Sequence, residues 1–206
     1  MTQTLRLLAL ATAALLTACA APRHDGQWSD PSFASRTLRD APVLVSCRGP
    51  DGTLARLCED RLSAALREAG ARPVVAPQPA DASAPADAIA RSAREAGATV
   101  AVLSSITVAG VVAPAPGPTF GFGLGGGFGR GGFGYGGVGV SIPIGGAARP
   151  LTAYASHTAL IDAASGREFW SVRATSPRAE DAAVQVAGLA RTGVAAMRDS
   201  GLFETR

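Results

Sequence analysis

The stretch APVLVSCRGPDGTLARLCEDRLSAALREAGARPVVA, Ala41 to Ala76, decides the fold. Its ends, Ala41 to Cys47 and Arg72 to Ala76, are short apolar runs with the valine content of buried strands. Between them Leu54, Leu57, Cys58, Leu62, Ala65, Leu66 and Ala69 recur at three- and four-residue spacing, which places them on one stripe of a helix. Thr53 is positioned to cap that helix and Gly70 to stop it. Strand, helix and strand in this order imply a parallel crossover.

The alternation continues downstream. Pro77 to Pro85 is a Pro/Ala-rich loop, and a second helix over about Ala86 to Ala96 presents Ile89, Ala90, Ala93 and Ala96 before Gly97 ends it. Thr99 to Val112 is a long β-branched run. After a glycine-rich insert at about 117–146 the pattern turns antiparallel. Leu151 to Ile161 and Arg167 to Thr175 are strand-like, and Asp162-Ala-Ala-Ser-Gly166 between them carries hairpin turn residues. The last helix is read from a Ser176 cap and a first-position Pro177, with Glu180 and Asp181 in its first turn. Its stripe is Ala183, Val186, Ala190, Val194 and Met197; Gly201 ends it, and Leu202-Phe203 fold back on the core. The expected fold is α+β with an α/β-like first half: one mixed sheet, order β-α-β-α-β, insert, β-β-β-α, with the helices packed on it.

The amino terminus carries an address. Arg6 is a positive flank, Leu7 to Leu16 an apolar stretch too short to span a bilayer, and Leu16-Thr17-Ala18-Cys19 a small-residue cleavage site. Residues 1–18 read as a secretory signal, 19–40 as a tether, and 41–206 as a single domain. Leu-Thr-Ala-Cys resembles the lipobox of bacterial lipoproteins, which implies cleavage before Cys19 and its lipidation. Several acyl chains would anchor it durably, at roughly 0.8 kcal/mol per buried methylene. Ala20 after the cysteine implies, by the same resemblance, the outer membrane and a domain facing the periplasm. Removing the signal takes away Arg6, so the formal charge falls from +3 to +2. All 19 basic residues are arginine and they are scattered. Nucleic acid is not an expected partner, because backbone binding needs a concentrated positive footprint.

Without lysine there is no Schiff-base or Walker lysine. Gly121, Gly123 and Gly126 match the G-x-G-x-x-G spacing of a dinucleotide site, but they run into more glycine instead of a helix. Fifteen of the thirty residues from Gly117 to Gly146 are glycine, so the spacing arises by composition, and no nucleotide or other cofactor is expected. Glycine at this density resists ordering, which favours a flexible insert. Against that stand Phe120, Phe122, Leu124, Phe128, Phe133 and Tyr135, whose alternation with glycine suits an extended strand able to pack on protein, membrane or another copy. Phe120, Phe122, Phe128, Phe133 and Tyr135 are the candidate interaction residues. Val138 to Ile144 shows the same alternation.

Cys47 and Cys58 remain once Cys19 is lipidated. They are an even pair in an oxidising compartment, and eleven residues of separation suit a strand-turn-helix disulfide; two buried free thiols are the alternative. Catalytic groupings are thin. His24 lies in the tether, and His157 sits mid-strand, where a satisfied or half-exposed histidine is the common case. Ser156, its neighbour, points to the other face. No metal-ligand spacing occurs. Glu59-Asp60 reads as a solvated helix face.

Trp28-Ser-Asp30-Pro31, Glu59-Asp60 followed by Leu62 and Leu66, and Asp162-Ala-Ala-Ser-Gly166-Arg-Glu-Phe-Trp170 together resemble a family of bacterial outer-membrane lipoproteins catalogued as a domain of unknown function. The resemblance covers nearly all of the chain after Cys19, and the long insert departs from it. It implies an envelope lipoprotein with a compact α+β domain and no established catalysis. The strand order is also similar to the amino-terminal domain of the Tol translocation protein and to the curli-secretion lipoprotein, which implies a partner-binding scaffold. The expected function is a non-enzymatic binding or scaffold module, held in the outer membrane through Cys19 and bound to another envelope protein. The alternatives are an assembly or adhesion protein acting through the Gly/Phe insert and, more remotely, a hydrolase built on His157.

Overall fold

Val43, Val45 and Cys47 face one side of their strand and Leu44 the other, and all four are buried, the pattern of a strand covered on both faces. The computed structural model describes residues 22–75, 84–112, 119–122, 140–143 and 150–204, with backbone alone for 119–122 and 140–143. Residues 1–18, Cys19, Phe128, Phe133 and Tyr135 lie outside the described residues. The elements are β1 (Arg23–Ser29), a 3₁₀ turn (Pro31–Phe33), β2 (Pro42–Arg48), α1 (Gly52–Glu68), β3 (Arg72–Val75), α2 (Ala86–Glu95), β4 (Val100–Val112), β5 (Thr119–Phe122), β6 (Val140–Pro143), β7 (Leu151–Asp162), β8 (Glu168–Thr175) and α3 (Ala182–Asp199). Six strands form one mixed sheet, order β1-β8-β7-β4-β2-β3. β2 pairs in parallel with β3 and β4, and the remaining pairings in this sheet are antiparallel. The fold is α+β with an α/β-like first half, as the alternation predicts.

The path β2-α1-β3 steps outward by one strand and β3-α2-β4 steps back past β2. Right-handed crossovers therefore put α1 and α2 on opposite faces. The larger core lies on the α1 side, where Leu62 and Leu66 of α1 and Val186, Leu189 and Met197 of α3 meet Val45, Val102, Leu160, Trp170 and Val172 of the sheet. Trp170 is 1% exposed, and its indole Nε1 donates to Ser200 Oγ at 3.0 Å, which satisfies its polar edge. A smaller core on the other face joins Ile89, Ala90 and Ala93 of α2 to Leu44, Ala101 and Ile161. With only ten residues, α2 covers one end of that face. Among the described residues no helix covers the rest.

Four expectations change. Arg23–Ser29, read as tether, is a sheet strand paired with β8 from Arg23↔Thr175 to Ser29↔Trp170. All seven residues are exposed, so backbone pairing makes this strand and no apolar periodicity reports it. Of the three strands expected after the insert, the main sheet contains two, β7 and β8, among the described residues; β6 pairs with β5 in a separate two-stranded sheet.

The helix starts also move. Asp51, not Thr53, caps α1, its Oδ1 accepting from Leu54 N at 2.8 Å. α3 begins at Ala182, capped by Asp181, whose Oδ1 accepts from Ala183 N at 2.7 Å and Val184 N at 3.2 Å. Ser176 instead accepts from Tyr154 N at 2.9 Å and bonds Gln185, while Ala179 pairs with Thr152. Finally, Glu59 is not on a solvated face. It is 0% exposed beneath β2, and only Asp60 faces water.

Candidate functional site

Side chains alternate across a strand, so the registers fix what the uncovered face displays. Three rows cross β4, β7, β8 and β1: Leu103, Ala159, Ser171 and Trp28; Ser105, His157, Arg173 and Gly26; Thr107, Ala155, Thr175 and Arg23. The register shift between His24 and Gly26 leaves Asp25 as the extra residue of a bulge, and its carboxylate accepts from Thr175 Oγ1. The bulge also breaks the outer edge of β1, which discourages further strand pairing there.

Two adjoining depressions mark this face. One, of about 270 Å³, is lined by Gly26, Trp28, His157, Ser171 and Arg173. The other, of about 380 Å³, is lined by Asp25, Ser105, Thr107, Ala155, His157, Arg173 and Thr175. His157 and Arg173 line both, and Trp28 stands at the rim, 50% exposed. The surface combines a broad aromatic, a guanidinium, an imidazole and several hydroxyls. Ser156 is buried on the opposite face, as its adjacency to His157 requires, so the two do not form a nucleophile and base pair. No set of three or more His, Cys, Asp or Glu among the described residues is disposed to hold a metal ion.

The residues behind this face hold it in place. Asp30 Oδ1 accepts from Ser32 N at 2.9 Å and Ser32 Oγ at 2.7 Å, and Arg167 donates to its Oδ2 at 2.8 Å. The serine bonds, aided by Arg167, hold the Asp30 carboxyl below its ordinary pKa. Phe33 stacks on Phe169 with centroids 5.0 Å apart, flanked by the guanidinium groups of Arg36 and Arg167. Arg36 pairs with Asp162, whose second oxygen accepts from Ser165 N at 2.9 Å and Oγ at 2.8 Å inside the β7–β8 turn. Gly166, at φ +72°, completes that turn.

Cys47 of β2 and Cys58 of α1 are joined as a disulfide with Cα atoms 6.0 Å apart. Phe120 and Phe122 lie on β5 opposite Ile142 and Val140. Phe128, Phe133, Tyr135 and Cys19 are outside the described residues. The sequence reading missed Arg173, and Trp28 as a surface residue, because β1 was not seen as a strand; a lone tryptophan in an otherwise polar run was the available signal. No helix of the described residues is long and apolar enough to cross a membrane.

Among the described residues, fold and face together define a mixed-sheet α+β module, covered on both faces over one half and on one face over the other. No protein-family model matches the chain, and no curated protein sequence does. Among solved structures, the chain is similar to the PelC dodecamer from Paraburkholderia phytofirmans in space group P6, at 14% identity and TM-score 0.49, over 82% of this chain and 93% of that one. A second PelC dodecamer crystal, in space group C2, gives 14%, 0.49, 89% and 99%. Lipoprotein GNA1162 from Neisseria meningitidis gives 14%, 0.44, 77% and 98%. These likenesses assign no site.

Proposed function

We propose that the chain is a lipid-anchored module of the cell envelope that binds a protein partner through the open sheet face and performs no catalysis. The observation that carries this reading is the exposed Trp28 beside Arg173 and His157, on a face left bare by the short α2. Tryptophan and arginine are the residue types that dominate interface energetics when a partner buries them. Cys19, held by acyl chains, would keep the module on the periplasmic face of the outer membrane. The disulfide fits an oxidising compartment.

The test is photo-crosslinking in intact cells from position 28, from position 173 and from Asp60 on the opposite side of the sheet. The expected result is one discrete protein adduct from 28 and from 173, absent from 60, with the adduct from 173 lost in Trp28→Ala while the melting temperature is unchanged. Adducts of equal pattern from all three positions would reject the face. A second reading, assembly through the Gly/Phe insert, draws support from the pairing of β5 with β6, which makes the two arms of the insert a ribbon. It predicts instead that deletion of 121–137 abolishes the adducts.

A further inference from the structure

The end of the sheet away from α2 gathers features the open face does not use. β1 starts there, β8 ends there and α3 starts there, and β4 ends opposite the start of β7, with Arg23 paired to Thr175 and Val112 to Leu151. Val108, Val111, Val112, Leu151 and Val184 are all exposed at this end, Val184 to 63%. These are five of the eight exposed large apolar side chains among the described residues. Beside them a groove of about 320 Å³ is lined by Pro22, Pro177, Val184 and Gly188, and its charged lining residues are Arg178 and Arg191 alone. Asp181 caps α3 and Glu180 lies outside the lining.

The described chain begins at this place, with Pro22. A Cβ on Gly188 would stand 2.9 Å from Pro22 Cγ, so Pro22 lies directly on α3. Cys19 is three residues earlier in the chain and therefore within at most about 11 Å of Pro22.

We propose that this groove is seated on the membrane that the Cys19 lipid enters. Arg178 and Arg191 take phospholipid phosphates, and Val184, Val111 and Val112 enter the headgroup boundary. The inference rests on the lipid anchor proposed above. A guanidinium matches phosphate with paired donors, and apolar side chains next to basic ones bind at the level of the headgroups. Free phosphate would satisfy the arginines and leave the valines in water; a membrane satisfies both.

The acylated full chain is extracted and reconstituted into phosphatylethanolamine–phosphatidylglycerol vesicles, with an environment-sensitive fluorophore on Val184→Cys or, at the opposite end of the domain, on Glu95→Cys. The mass of the same samples reports acylation. Emission from 184 is expected to shift to the blue and be quenched by lipid-borne quencher, while emission from 95 stays water-like. Arg178→Gln and Arg191→Gln should each lower the docked-to-free ratio about fivefold. Water-like emission from both positions on acylated, vesicle-bound protein overturns the docking and leaves the anchor standing. A blue shift at 184 without lipid quenching also overturns it, in favour of a second copy. An unacylated chain overturns the anchor, and the docking with it.

Discussion

The Arg167 guanidinium donates to the Asp30 carboxylate at 2.8 Å and thereby ties the 3₁₀ turn after β1 to the β7–β8 hairpin, 137 residues apart in sequence. Phe33 on Phe169 closes the same junction from below. The ion pair is exposed at Arg167, and such pairs contribute little, so the aromatic contact is the stabilising member. Phe169→Ala is expected to cost about 3–5 kcal/mol of unfolding free energy. A Phe33/Phe169 double-mutant cycle should return a coupling of about 0.5–1.5 kcal/mol. Zero coupling in urea unfolding would mean that the rings merely touch.

The two tryptophans should behave oppositely. Trp170 is buried with its indole bonded to Ser200, and Trp170→Ala should cost about 3–5 kcal/mol. Trp28 is half exposed on the open face, and Trp28→Ala should stay within about 0.5 kcal/mol of the parent. Thermal melts of the two variants side by side check this, and similar losses in both would contradict the assignment of faces.

Glu59 should make stability depend on pH. Burial raises its pKa, against the pull of the Cys47 amide, which donates to Oε1 at 3.2 Å, and of Arg56, which donates to Oε2 at 2.9 Å. A raised folded-state pKa means that the folded chain holds the proton more tightly than the unfolded one. The associated stability is fully present below the unfolded pKa and is lost as pH rises through the folded value. Glu59→Gln keeps the neutral state at every pH. It should therefore gain stability relative to the parent as pH rises through that window toward neutral, measured by urea unfolding at several pH values. A difference independent of pH would show that Glu59 titrates alike in both states.

Reducing the Cys47–Cys58 bond should lower stability by about 2–4 kcal/mol, since it releases a closed loop in the unfolded chain. While bonded the two sulfurs carry no thiol, so this pair should remain unreactive in denaturant alone and give two thiols only when a reductant is added. Thiol titration in denaturant with and without reductant is the measurement.

Deleting residues 121–137 should leave one cooperative unfolding transition. Glycine at the density of this segment resists ordering, so the helices and the β7–β8 hairpin are expected to carry the fold. A second transition, or none, would show that the Gly/Phe segment supports the sheet.

The parts of this fold legible in sequence are those written as periodicity. Leu62, Leu66, Val186 and Met197 declare helix stripes, and the valines of β2 and β4 declare covered strands. The turn at Asp162 to Gly166 declares itself by residue type. β1 was hidden because its stability comes from pairing with β8, a contact made far away in the chain. Glu59 was hidden for a related reason: a carboxylate on a helix looks solvated until the Cys47 amide and the Arg56 guanidinium are seen to receive it. The open face was invisible too, since it exists only where α2 stops short, and helix length alone does not say which strands remain bare.

The pairing of β1 with β8 also sets an order of assembly. Asp25 meets Thr175 across 150 residues, so the strand synthesised first among the described elements has no partner until nearly the whole chain has been made. Contacts this distant close late and slowly. Most of the chain is therefore made before its sheet can be completed. Under the lipid anchoring proposed above, the same delay keeps β1 unpaired while the enzymes that cut and acylate at Cys19 act.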